Sequence, residues 1–96
     1  ELTISSDVIA VTHSFHTVDT ESDASTDDID TINGGVAAGQ ILTITANNTA
    51  RSVVAKDGTG NLKLAGDFTM DNTEDTLMLV YDGSNWLEVS RSGNGA

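Results

Sequence analysis

The sequence predicts a small all-β fold, an antiparallel β-sandwich or β-roll of roughly six to eight strands. Three observations predict it. Twenty-two of the 96 residues are Ser or Thr, and with Val and Ile they suit a pleated, half-buried surface. Short apolar-polar alternations are separated by Gly-, Asn- and Asp-rich turns. The long Ala/Leu/Glu/Lys runs of a helical chain are missing. The length fits one domain, residues 1–96. A chain of this size buries somewhat over ~60% of its unfolded surface, so its core is thin. With no Cys, disulfides cannot reinforce it, and with no Pro its sheet edges lack their simplest guard. Both points favour a homotrimer, in which sister copies cover the edges.

Leu2 to Ile4 alternates apolar and polar before Ser5-Ser6-Asp7 interrupts. Strict alternation from Val8 to Val18 then predicts one strand with Ile9, Val11, His13 and Phe15 on a common face. Residues 19–35 form an acidic and Gly-containing loop, with one short helical turn starting at Ser25 or Thr26. Ile29 and Ile32 pin its end to the core, and Asn33-Gly34-Gly35 is a turn. Gln40 to Ala46 and Arg51 to Lys56 are strands. Asp57-Gly58-Thr59-Gly60 reads as a hairpin turn leading into a strand over Asn61 to Ala65. Phe68 to Met70 is short and extended. Thr76 to Tyr81 and Trp86 to Ser90 flank Asp82-Gly83-Ser84-Asn85, which sets Tyr81 opposite Trp86 as an aromatic cross-strand pair. Residues 91–96 form a loose tail. No exact internal repeat is visible; the plans of the two Asp-Gly hairpins, 51–64 and 76–90, share only their turn chemistry.

The net charge is −11, and the first fifty residues hold eight acids and no base. Such a chain repels nucleic acid and anionic lipid. No run reaches the ~18 apolar residues of a membrane helix. A start at Glu1 reads as a processed product or a fragment of a longer protein.

Candidate sites are few. Asp19, Glu21, Asp23, Ser25, Asp27 and Asp30 have the spacing of a calcium-binding EF-hand loop, but Ala24 stands where Gly is needed and Asp30 where a longer Glu is needed. A solvated acidic loop is the favoured reading, with calcium as the alternative. His13 and His16 lie three apart, on opposite faces of a strand, so they cannot share a metal within one chain. A buried His13 with a hydrogen-bond partner is favoured over three copies of His13 around a metal or anion. Ser14 has no nucleophile elbow. Asp67, Asp71, Glu74 and Asp75 sit in turns, where carboxylates are expected without catalysis. The turn at Gly58–Gly60 lacks the continuation of a phosphate loop. Asn47-Asn48-Thr49 fits a weak glycosylation sequon. Trp86 is read as core or interface, with stacking on a sugar as the alternative. The expected site inventory is therefore no catalytic residue, no cofactor and no metal.

Four phrases carry a family likeness: Gly39-Gln-Ile-Leu-Thr-Ile, Ala50-Arg-Ser-Val-Val-Ala-Lys-Asp-Gly-Thr-Gly-Asn-Leu, Leu64-Ala-Gly-Asp-Phe, and Asp75-Thr-Leu-Met-Leu-Val-Tyr-Asp-Gly-Ser-Asn-Trp-Leu-Glu-Val-Ser. Together with Phe15-His-Thr-Val-Asp-Thr-Glu and Asp27-Asp-Ile-Asp-Thr-Ile-Asn-Gly-Gly, they resemble a module of bacteriophage virion structural proteins, over about residues 8 to 94. The likeness extends to tail fibres, spikes and capsid decoration (cement) proteins. It implies an all-β, non-enzymatic, trimeric module located in the virion, with capsid or tail proteins as partners. A carbohydrate-binding adhesin domain of a receptor-binding fibre, with a surface glycan as ligand, is the alternative. A fragment of a polysaccharide depolymerase is a third expectation.

Overall fold

Two successive laps of chain stack their apolar residues in register. The computed structural model describes residues 1–95. Strand β1 (Leu2–Thr3) precedes a first lap of β2 (Val8–Ala10), β3 (Phe15–Asp19) and β4 (Thr26–Ile29). The second lap is β5 (Thr31–Asn33), β6 (Ile41–Ala46) and β7 (Ser52–Ala55). Each strand of the second lap runs parallel to its counterpart: β5 on β2, β6 on β3, β7 on β4. The stacked pairs include Ile9 with Ile32, Val18 with Ala46, and Ile29 with Ala55, all buried. The arrangement is solenoid-like: each lap buries its apolar side only because the next lap covers it.

The chain then reverses and closes the coil. Strand β8 (Leu62–Lys63) precedes β9 (Phe68–Met70), which is antiparallel to β7. Strand β10 (Thr76–Tyr81) is antiparallel to β6, and β11 (Trp86–Ser92) pairs antiparallel with β10 and parallel with β8. The result is a six-stranded sheet ordered β1-β3-β6-β10-β11-β8, a three-stranded sheet β4-β7-β9 and a two-stranded sheet β2-β5. One apolar cluster lies between them. Leu42, Ile44, Leu77, Leu79 and Trp86 enter it from the large sheet, Val53 and Met70 from the three-stranded sheet, and Ile9 and Ile32 from the smallest.

The all-β class and most strand positions follow the sequence, but several expectations need correction. The sheets are mixed and not purely antiparallel, because a chain that coils returns each lap in the same direction. Alternation has period two in either pairing and carries no sign of direction. The described residues hold eleven strands against the six to eight expected, several only two or three residues long. The two laps form a structural repeat, with 23 residues from Ile9 to Ile32 and 28 from Val18 to Ala46. The unequal laps explain why no sequence repeat marks it.

The predicted strand over Val8–Val18 breaks at Thr12–Ser14. That bend shifts the phase, so Val11 stays buried while Phe15 turns out to solvent and His16 turns in. The predicted 51–64 hairpin does not form either. β7 and β8 belong to different sheets. The loop between them is tied by acids, with Asp57 accepting from the Leu64 N–H and Asp67 from the Asp57 N–H, both at 2.8 Å. Gly60 is required here: a Cβ would lie inside the Asp30 carbonyl.

The acidic segment 19–35 is more ordered than a loop. Its short turn falls at Glu21–Asp23, earlier than expected, and it is left-handed at Ser22 and Asp23. Ser6 and Asp7 repeat that conformation, and Glu21 accepts the Ser6 N–H at 3.0 Å, joining the two turns. Strand β4 follows, at the edge of its sheet, and Ile29 is buried as expected. Asp27 and Asp28 lie on that edge, where charge discourages pairing with foreign strands. The segment 91–95, expected to be loose, is anchored: Asn94 donates to the Glu74 carbonyl at 2.9 Å and Gly95 to Asp75 at 3.0 Å. Residue 96 lies outside the described residues.

Candidate functional site

The Tyr81–Trp86 pair forms as the hairpin predicts, with ring centroids 4.9 Å apart. Trp86 is fully buried, and its indole N–H donates to the Ile32 carbonyl at 3.2 Å. Asn61 completes a knot around the same residue. Its side-chain carbonyl accepts the Ile32 N–H and its amide donates back to the Ile32 carbonyl, each at 2.8 Å. The Trp86 N–H donates to the Asn61 carbonyl at 2.8 Å. Trp86 and Asn61 thus clamp the smallest sheet to the closing hairpin. An indole in that position has no face left for a sugar ring.

The calcium-loop residues do not converge. Asp19 turns inward and takes a two-pronged ion pair from Arg51, 2.7 Å from Nε and 3.1 Å from NH2. The guanidinium holds the Asp19 carboxyl below the usual carboxylate range. Asp27 accepts the Glu21 N–H at 2.8 Å, and Ser25 offers its backbone carbonyl to Ser52. Asp23 remains exposed. Asp7, absent from the predicted loop, faces Asp27, Asp28 and Asp30. Its carboxyl is raised, first by desolvation and then by those three neighbours. Among the described residues no three acidic or His side chains are grouped as metal ligands.

The two histidines exchange their expected places. His13 is exposed, and His16 is 6% exposed on the inner face of β3. The His16 Nε2 accepts backbone N–H groups from Thr12 at 3.0 Å and His13 at 3.1 Å, so it carries no proton. Burial depresses the basicity of the ring, with His13 adding to the effect. The unfolded chain therefore binds a proton more readily than the folded one. The stability supplied by neutral His16 is fully present above pH ~6.5 and is lost as pH falls from there toward the lower folded value. Urea unfolding should weaken between pH 7 and 5, with a slope no steeper than about 1.4 kcal/mol per pH unit. The same window should be flat in His16→Gln.

The turn carboxylates serve as structural ties. Asp67 pairs with Lys56 at 2.8 Å, half exposed. Buried Asp75 accepts the Gly95 N–H at 3.0 Å and the Asp71 N–H at 3.1 Å, and the Gly95 bond leads in holding its carboxyl below the ordinary range. Ser14 lies exposed in the bend after His13. Asn48 of the sequon caps its own turn through Ala50 at 2.7 Å. The described residues enclose no cavity.

A surface that sequence reasoning did not single out lies on the outer face of the large sheet. Register places Phe15, Thr43 and Met78 in one row across β3, β6 and β10, with Ile41 and Val80 in the row beside it. Phe15 is 54% exposed and Ile41 44%. Its sequence signal was available. Ile41-Leu42 and Leu77-Met78-Leu79-Val80 are apolar at both parities, the pattern of strands covered on both faces.

No curated protein and no solved structure matches the chain. Residues 3–87 match the family model of the phage depolymerase C-terminal beta sandwich domain. That match spans both laps of the coil and the start of the closing hairpin, and it identifies a bacteriophage tail-associated β domain. The chain belongs to the phage depolymerase C-terminal β-sandwich family.

Proposed function

We propose that this chain is a non-enzymatic structural module of a bacteriophage tail fibre or spike, assembled as a homotrimer within the virion. The observation that carries the reading is the family match over residues 3–87. It favours the tail over a capsid decoration role. The architecture supports a mechanical task, since Asp19, Asp67, Asp75 and Glu88 are each held by an arginine, a lysine or backbone N–H groups. Support from sister copies follows from the thin core of a chain of this size. The adhesin alternative loses its best candidate in the buried Trp86.

Gold-labelled antiserum against the chain tests the location. Label on tail fibres or spikes is expected, and label over the head overturns it. Incubating the chain alone with capsular polysaccharide tests the second half: no new reducing ends are expected, and their release overturns the non-enzymatic reading.

A further inference from the structure

We infer that the corner at Thr12–Ser14 is an acid-operated latch: a proton on His16 frees it while the rest of the fold stays closed. The corner joins the two-stranded sheet to the six-stranded one, where β2 ends and β3 begins. Backbone bonds hold it from both sides. The Val11 N–H donates to the Asn33 carbonyl, and the Ser14 carbonyl accepts the Thr43 N–H, each at 2.8 Å. Between these anchors lie Thr12 and His13. The N–H groups of both end on one acceptor, His16 Nε2, at 3.0 and 3.1 Å. The neutral ring therefore keeps its proton on Nδ1. Thr12 Oγ1 and His13 Nδ1, 2.8 Å apart, tie the bend only to itself.

A proton at Nε2 turns that acceptor into a donor, so three N–H groups would crowd one point. The ring is 6% exposed, and water cannot solvate its charge where it sits. Its neighbours offer no compensation. His13 meets it edge-on, with centroids 5.6 Å apart, and adds a like charge when protonated. The α-amino group of Glu1 also acts against a cation here. Ile44 of β6 pairs with His16, and Leu77 of β10 is next in that row. The inner faces of the other two sheets present Ile9, Ile32, Val53 and Met70. Asp19, the carboxylate of β3, is taken by Arg51.

The release stays local because both flanking strands are tied elsewhere. Four residue pairs join β3 to β6, and three join β2 to β5. Opening gives solvent a path to Val11, buried at the near side of the corner. The closed corner accepts only the neutral ring, whereas the freed ring regains the ordinary value of ~6.5. Burial holds the folded value below that, so the corner is closed above pH ~6.5 and is freed as pH falls toward the lower value. Below pH ~6.5 the open population rises by up to about tenfold per pH unit.

Proton–nitrogen correlation spectra of the labelled chain, from about pH 8 to pH 5, test the latch, with the His16 ring followed through its carbon-bound protons. His16→Gln keeps an acceptor that does not titrate, and His13→Gln removes the other imidazole. The backbone amide signals of positions 12 and 13 should leave their hydrogen-bonded positions in step with His16, in wild type and in His13→Gln. The Leu77 and Leu79 amide signals should hold their folded positions throughout. In His16→Gln the two corner signals should stay in place. Corner signals that stand still while His16 titrates would overturn the inference, as would an intact fold whose His16 takes no proton down to about pH 5. Shifts that persist in His16→Gln or vanish in His13→Gln would assign them to His13 and overturn it too. Loss of the whole folded spectrum at the His16 midpoint would mean global unfolding and no latch. If His16→Gln does not fold, His13→Gln decides alone.

Discussion

Trp86→Ala is expected to cost about 3–5 kcal/mol of stability, the range for deleting a large buried aromatic side chain. A domain of this kind holds only about 5–15 kcal/mol in total, so the variant should be close to unfolding at body temperature. The effect has three sources. The indole is fully buried among the inner faces of the sheets. Its N–H bond to Ile32 crosses from the closing hairpin to the smallest sheet. Its contact with Tyr81 holds that ring over the backbone of Gly35, where a Cβ would meet the phenol ring. Trp86→Phe keeps much of the volume and should recover more than half of the loss. Urea denaturation followed by far-UV circular dichroism reads both variants. A loss under about 1 kcal/mol in Trp86→Ala would mean that the indole is not the closing element of the core.

Asn61→Ala should cost about 2–3 kcal/mol, although the side chain is only partly buried. The cause is an unmade bond. The Ile32 N–H, on a residue 1% exposed, has Asn61 as its acceptor. Removing that acceptor leaves a desolvated donor. Asn61→Asp separates the two roles. A carboxylate still accepts from Ile32 N–H but repels the Ile32 carbonyl that the amide satisfied. This variant should be weak at pH 7 and should gain stability, relative to wild type, as pH falls and the carboxyl takes a proton that it can donate. Equal losses at pH 7 and pH 4.5 would contradict the described contact. Because Ile32 also receives the Trp86 indole, Trp86→Ala and Asn61→Ala should not add in the double variant.

These two residues also mark what the sequence could and could not reveal. Trp86 was legible as packing because Asp82-Gly83-Ser84-Asn85 fixes the hairpin register and puts Tyr81 opposite. Asn61 was not, since nothing in the local pattern says that a side-chain amide will take the place of a strand rung 29 residues away. The same limit hid the coil. Ile9 stacks on Ile32 and Val18 on Ala46 at different spacings, so the lap leaves no fixed period to find. The bend at Thr12–Ser14 came from the inward His16 gathering two N–H groups, which alternation counting cannot anticipate. The outer face of the large sheet was readable in principle from the double parity of Leu77-Met78-Leu79-Val80.

The account depends most on the claim that sister copies complete this domain. Native mass spectrometry of the purified chain, sprayed from a neutral volatile buffer, addresses it directly. The account predicts a species of about 30 kDa, three times the 10.0 kDa subunit. A single species at the subunit mass across the accessible concentration range would contradict it.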